Sequence, residues 1–239
     1  LKLGNYAHVS ISVHSLQEST PFYEKLGFQK LWGNHEPHPW ALFTDGKVNI
    51  HLYEFYFPSP ALHYFSTHMK DRVLELMRIG IRPEQQKSRD GKRIQHNFLD
   101  PNELTIMLMH HNEAEMPKQT GESLSKLGVF GELSINTDNV KASVGFWEKL
   151  SFTTTFKSEK PYPWTILSDG AMTIGLHQTT TFTTPALTYF ANDAAERVQL
   201  LKSESFQVAD ELKNESGEVE GAILRAPDGQ LFFVLKGSV

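Results

Sequence analysis

The chain has 239 residues, 39% of them hydrophobic, a formal net charge of −5 and no cysteine. This composition excludes disordered and fibrous proteins, disulfide frameworks, thiolate metal sites and cysteine nucleophiles. The acidic balance argues against a nucleic-acid partner, and no apolar run reaches the roughly 18–20 residues of a membrane span. The first residues carry no apolar signal segment, so a cytoplasmic location is expected. Val9, Ile11 and Val13 alternate with His8, Ser10 and Ser12, which predicts a half-buried strand over 7–13. Ser15 to Glu18 is a capping-box pattern for a helix that carries Leu16, Tyr23 and Leu26 and ends at Gly27. Pro21 fits only near a first turn, which argues for a helix start later than Ser15. Short strands follow near 29–31, 40–44 and 48–53, with a turn at Asp45-Gly46. The order then restarts, with a strand near 62–67, a helix near 70–79 and strands near 84–87, 94–99 and 104–109.

A second copy of this pattern runs 124 residues later. His8-Val-Ser-Ile-Ser-Val returns as Glu132-Leu-Ser-Ile-Asn-Thr, and Pro37-His-Pro39-Trp40 as Pro161-Tyr-Pro163-Trp164. Asp45-Gly46 returns as Asp169-Gly170, and Pro60-Ala-Leu62, one residue further on, as Pro185-Ala-Leu187. One offset held over so long a stretch marks a duplicated unit. The boundaries are set at 1–111 and 128–239, with a polar linker over 112–127. Each half reads as two βαβββ modules, four in all.

His8-Val-x-Ile-x-Val, Phe22-Tyr23-x-x-Leu26-Gly27-Phe28, Asp45-Gly46, Asp100-Pro101 and Pro227-Asp228-Gly229 resemble the vicinal oxygen chelate superfamily. Glyoxalase I, bleomycin-resistance proteins and ring-cleaving extradiol dioxygenases belong to that group. The resemblance implies an α+β fold of two tandem domains, whose modules form U-shaped mixed sheets with helices outside. It also implies a divalent metal that chelates neighbouring oxygens of a small molecule. The ligand positions it implies fall on His8 and His51 in the first half, and on Glu132 and Gly175 in the second. A third falls on Leu62 and Leu187, with His63 adjacent to the former. The carboxylate position falls on Met107 and Phe233, so the carboxylate is missing from both halves.

The residues support part of this. Val48, Ile50 and Leu52 alternate with Asn49, His51 and Tyr53, so His8 and His51 are both expected on the non-helix face of their sheet. Neutral imidazoles ligate zinc, iron, copper or nickel, with manganese also in the candidate set. Three protein ligands are usual, and His96 is the candidate for the third, or His63 if the alignment slips by one residue. The alternative for each histidine is a hydrogen-bonded polar residue. Tyr53, Trp40, Met107, Glu132, Trp164, His177 and Phe233 are expected to line substrate pockets. Trp40 and Trp164 read equally as core residues of equivalent modules. The connector Phe55-Tyr56-Phe57-Pro58 reads as a pocket lid or as a homodimer contact. No catalytic residue is singled out, and no phosphate loop, nucleophile elbow or dinucleotide motif occurs. The functional expectation is a glyoxalase- or dioxygenase-like enzyme with a divalent metal in the first-half pocket and a small-molecule partner. The alternatives are a metal-free protein that sequesters an aromatic or hydrophobic molecule and a scaffold with a vestigial site.

Overall fold

The structure is a computed structural model that describes residues 1–36, 38–87 and 94–239. Pro37 of the first Pro-x-Pro-Trp motif lies outside the described residues. In the first half, β1 (Tyr6–Ser12) leads to α1 (Leu16–Lys25), β2 (Gln29–Asn34), β3 (Trp40–Thr44) and β4 (Asn49–Tyr53). The order repeats as β5 (Ala61–Ser66), α2 (Met69–Arg78), β6 (Glu84–Lys87), β7 (Ile94–Leu99) and β8 (Thr105–His110). A short 3-10 turn at Glu113–Glu115 opens the connector. The second half gives β9 (Val129–Asn136), α3 (Val140–Lys149), β10 (Thr153–Ser158), β11 (Trp164–Ser168) and β12 (Thr173–His177). It closes with β13 (Ala186–Ala191), α4 (Ala194–Ser203), β14 (Val208–Lys213), β15 (Val219–Arg225) and β16 (Leu231–Lys236). Each half forms one eight-stranded mixed sheet, in the orders β2-β3-β4-β1-β5-β8-β7-β6 and β10-β11-β12-β9-β13-β16-β15-β14. The expected α+β class and four βαβββ modules are present.

One helix start differs from expectation. Ser15 caps α1 by accepting the Glu18 N–H, so the helix begins at Leu16 and Pro21 lies inside it. The prolyl nitrogen removes one helical hydrogen bond. Packing outweighs that loss, because Tyr23 is fully buried in the helix and Leu26, which caps its end, is fully buried as well.

Dense contacts divide the chain otherwise than the sheets do. The first unit comprises 1–10, 58–118 and 135–183, and the second comprises 11–57, 119–134 and 184–239. Each unit thus takes one module from each half, and the dividing lines fall inside β1 and β9. In the first unit the buried Tyr64 of β5 donates to Asp169 of the β11–β12 turn at 3.0 Å. In the second, Tyr189 of β13 donates to Asp45 of the β3–β4 turn at 2.8 Å, and Tyr23 donates to Asp228 at 3.1 Å. Burial, then the neighbouring carboxylate, pushes all three phenols well above their usual range. Burial likewise raises the carboxyls of Asp45, Asp169 and Asp228, against the lowering effect of the turn N–H groups.

The connector is docked rather than loose. In the second unit Leu124 donates its N–H to Asp45 O at 2.7 Å, and Lys126 to Leu26 O at 2.8 Å. Gly46 has φ +89°, and a Cβ there would stand 1.9 Å from Glu122 O, so the turn and the connector together require glycine. In the first unit Glu113 accepts the Asn5 N–H at 2.8 Å, and Met116 is buried against Tyr6 and Phe65.

Candidate functional site

The registers of the first unit lay out one face of the sheet residue by residue. His8 of β1 stands opposite His63 of β5, and His63 lies beside Met107 of β8. One row toward one end stand Tyr6, Phe65 and Met109, and one row toward the other stand Ser10, Ala61 and Thr105. Side chains that are directly paired point to one face, so these three rows share it. The opposite face carries Ala7, Val9, Leu62, Tyr64, Ile106 and Leu108, all buried. Strand alternation thus drives the apolar set to one side and strands the imidazoles on the other.

His8 and His63 are 0% and 1% exposed, with ring centres 5.1 Å apart and planes at 79°. Phe65 stacks on His63 at 4.4 Å and lies 5.2 Å from His8. Burial alone pulls the His63 pKa down to about 3, so the ring is neutral at physiological pH and keeps a nitrogen lone pair. Neither ring nitrogen of His63 has a hydrogen-bond partner among the described residues, and the same is true of the Ser10 and Thr105 hydroxyls. Buried polar groups left in this way cost about 1–3 kcal/mol each and call for a partner such as water, an ion or a ligand.

The register corrects two sequence expectations. Leu62, the aligned position for a third ligand, faces the apolar side opposite Val9, and the site-side residue is His63. His96 stands opposite Leu108, on the other face from His63, so it is not brought together with His8. Its pKa is lowered by burial. His63 was legible in principle, because His63 and Phe65 alternate with Leu62 and Tyr64 as His8 and Ser10 alternate with Ala7 and Val9.

The remaining expected residues divide between the units. In the second, His51 stands opposite Leu42, with Trp40 at 4.8 Å and Tyr53 stacked on it at 3.9 Å. Trp40 is half-buried and belongs to this aromatic group rather than to the core. Glu132 stands opposite Thr188, which lies beside Phe233. Ser134 donates to Glu132 Oε1 at 2.6 Å and shares a 2.6 Å hydrogen bond with Thr188. In the first unit Trp164 stacks on His177, with ring centres 5.7 Å apart and planes at 9°, while Tyr162 and Phe182 stand near the same imidazole.

Two cavities of about 330 and 380 Å³ open in the second unit, and neither is lined by His8 or His63. Two imidazoles that each bind one ion through nitrogen at about 2.1 Å hold their ring centres roughly 5 Å apart. The observed separation and the partnerless His63 nitrogens fit a cation held by this pair. Among the described residues no group of three histidine, aspartate or glutamate side chains is placed to share an ion.

No protein-family model and no curated protein matches the chain. Solved structures do. A catechol 2,3-dioxygenase aligns over 100% of this chain and 89% of its own, with a TM-score of 0.65 at 14% identity. A variant of homoprotocatechuate 2,3-dioxygenase from Brevibacterium fuscum aligns over 99% and 72%, with a TM-score of 0.64 at 12% identity. The 2,3-dioxygenase LapB from Pseudomonas sp. KL28 aligns over 100% and 93%, with a TM-score of 0.62 at 14% identity. At such identities the alignments establish the fold: the chain has the tandem vicinal oxygen chelate fold of extradiol ring-cleaving dioxygenases. Among the described residues no helix is long and apolar enough to cross a membrane.

Proposed function

We propose that the chain acts on or binds a small molecule through a cation held by His8 and His63 on the first-unit face. The observation that carries this is the buried imidazole pair, with ring centres 5.1 Å apart and the His63 nitrogens without a protein partner. A cation there would supply Lewis-acid polarisation of vicinal oxygens, as in the glyoxalase- or dioxygenase-like reading of the sequence. The chain's own residues do the rest. Phe65 fixes the His63 ring by stacking, and low polarity keeps that ring unprotonated so that it can donate. The Ser10 and Thr105 hydroxyls, one row away, offer hydrogen bonds to a ligand's oxygens. Tyr6, Phe65 and Met109, packed with Met116, close one end of this row with apolar surface.

Elemental analysis of protein purified without chelator tests this, for the wild type and for His8→Ala and His63→Ala. Stoichiometric metal lost in both variants supports the reading. Protein that is metal-free and takes up no cation on titration overturns it. A second reading, a metal-free protein that sequesters an aromatic molecule, is favoured by Met107 in the place of the carboxylate. It predicts no metal but tight binding of an aromatic dye, lost in Phe65→Ala.

A further inference from the structure

We propose that the third donor on this face is the Met107 thioether, so that the row His8–His63–Met107 selects a soft monovalent cation, copper(I), over hard divalent ions. This rests on the reading that the imidazole pair holds a cation, and it names which one.

The argument starts from register. The three residues occupy one row across β1, β5 and β8, with His8 opposite His63 and Met107 beside His63 in the parallel pairing. Adjacent strands lie about 4.8 Å apart, so neighbouring side chains in a row reach a common point above the sheet. Met107 is 6% exposed, so the side chain is buried. A thioether is a polarisable donor that prefers copper(I), whereas carboxylates and water suit magnesium, calcium and manganese.

Charge points the same way. Imidazoles coordinate in their neutral form and a thioether carries no charge, and no third histidine or carboxylate joins the pair among the described residues. A buried site without an anionic ligand leaves the whole charge of the ion uncompensated. The solvation cost of such a charge grows with its square, so a singly charged ion costs about a quarter of what a doubly charged ion of similar size does. The next residue along the row, Asn97, does not change this, because its side-chain oxygen already accepts from Gln95 at 2.7 Å.

Anaerobic titration of the full chain with copper(I) against a chromophoric competing chelator reads the preference, run beside zinc(II) and manganese(II). One copper(I) per chain is expected. Met107→Leu, a nearly volume-conserving exchange, is expected to weaken copper(I) by about tenfold or more and to leave zinc(II) within about twofold. X-ray absorption of the wild-type copper(I) protein needs no variant and is expected to show sulfur beside nitrogen around the metal. Equal copper(I) affinity in wild type and Met107→Leu, or a metal environment of nitrogen without sulfur, overturns the proposal while a cation on the imidazole pair stands. Failure of all three ions to bind overturns both.

Discussion

The duplication supplies a comparison inside one molecule. His8, Ser10, His63 and Met107 occupy one face of the first sheet, and Glu132, Ser134, Thr188 and Phe233 occupy the corresponding positions of the second. The second set is linked by hydrogen bonds. Ser134 gives its single hydroxyl hydrogen to Glu132, so Thr188 must be the donor in the Ser134–Thr188 bond. The network runs in one direction, from threonine through serine to carboxylate. The first set is open, because the Ser10 hydroxyl and both His63 nitrogens have no hydrogen-bond partner among the described residues. One backbone thus carries a polar cluster whose serine is hydrogen-bonded on both sides, and another whose serine and His63 have no hydrogen bond among the described residues.

Acid sharpens this contrast most. His63 is held neutral, with its pKa lowered to about 3 from the usual 6.5, so the unfolded chain binds a proton that the folded chain refuses. Stability from this group is therefore complete above pH 6.5 and falls as pH drops toward 3, by about 1.4 kcal/mol per unit and on the order of 5 kcal/mol in full. Urea unfolding of wild type and His63→Leu across this range should show the slope in the wild type and its loss in the variant. The buried aspartates act with the opposite sign. Their raised pKa values favour the folded chain at low pH and cost stability as pH rises from about 3.8 through the raised values. They are common to both proteins and cancel in the difference. Parallel profiles for the two would break the account of the open face.

The two serines are the next test. Ser134→Ala removes the middle of a hydrogen-bonded chain and should cost about 1–3 kcal/mol, read as a lower urea midpoint at unchanged slope. Ser10→Ala at the matching position removes a buried hydroxyl with no hydrogen-bond partner among the described residues and should raise stability, by up to about 1–3 kcal/mol. A large loss for Ser10→Ala would close the face that the proposed function needs open. The smallest contrast is expected in the tyrosine–aspartate ties. Tyr64→Phe and Tyr189→Phe each break one buried hydrogen bond to a turn aspartate. Each should cost about 1–2 kcal/mol, and the two values should agree within about 0.5 kcal/mol.

Much of this was legible in the chain itself. The repeat, the alternation of Val9, Ile11 and Val13, and the Asp-Gly turns follow from local rules, because side-chain period and turn chemistry act over a few residues. Which histidine faces His8 was harder to read. Strand side chains reverse faces at every residue, so a one-residue error in alignment exchanged Leu62 for His63. His96 failed for a related reason: its own strand alternates weakly, and only the pairing with Leu108 fixes its face.

The sequence by itself determined the duplicated βαβββ plan and the strand alternation that sets His8 and Ser10 against Ala7 and Val9. These follow from periodicity and from one offset held along the chain. Tertiary structure decided that His63 partners His8, that Met107 lies beside them and that Ser134 closes a network where Ser10 does not. It also decided that each compact unit draws a module from both halves. Such facts depend on cross-strand register and on contacts between residues a hundred or more positions apart, which no local pattern encodes.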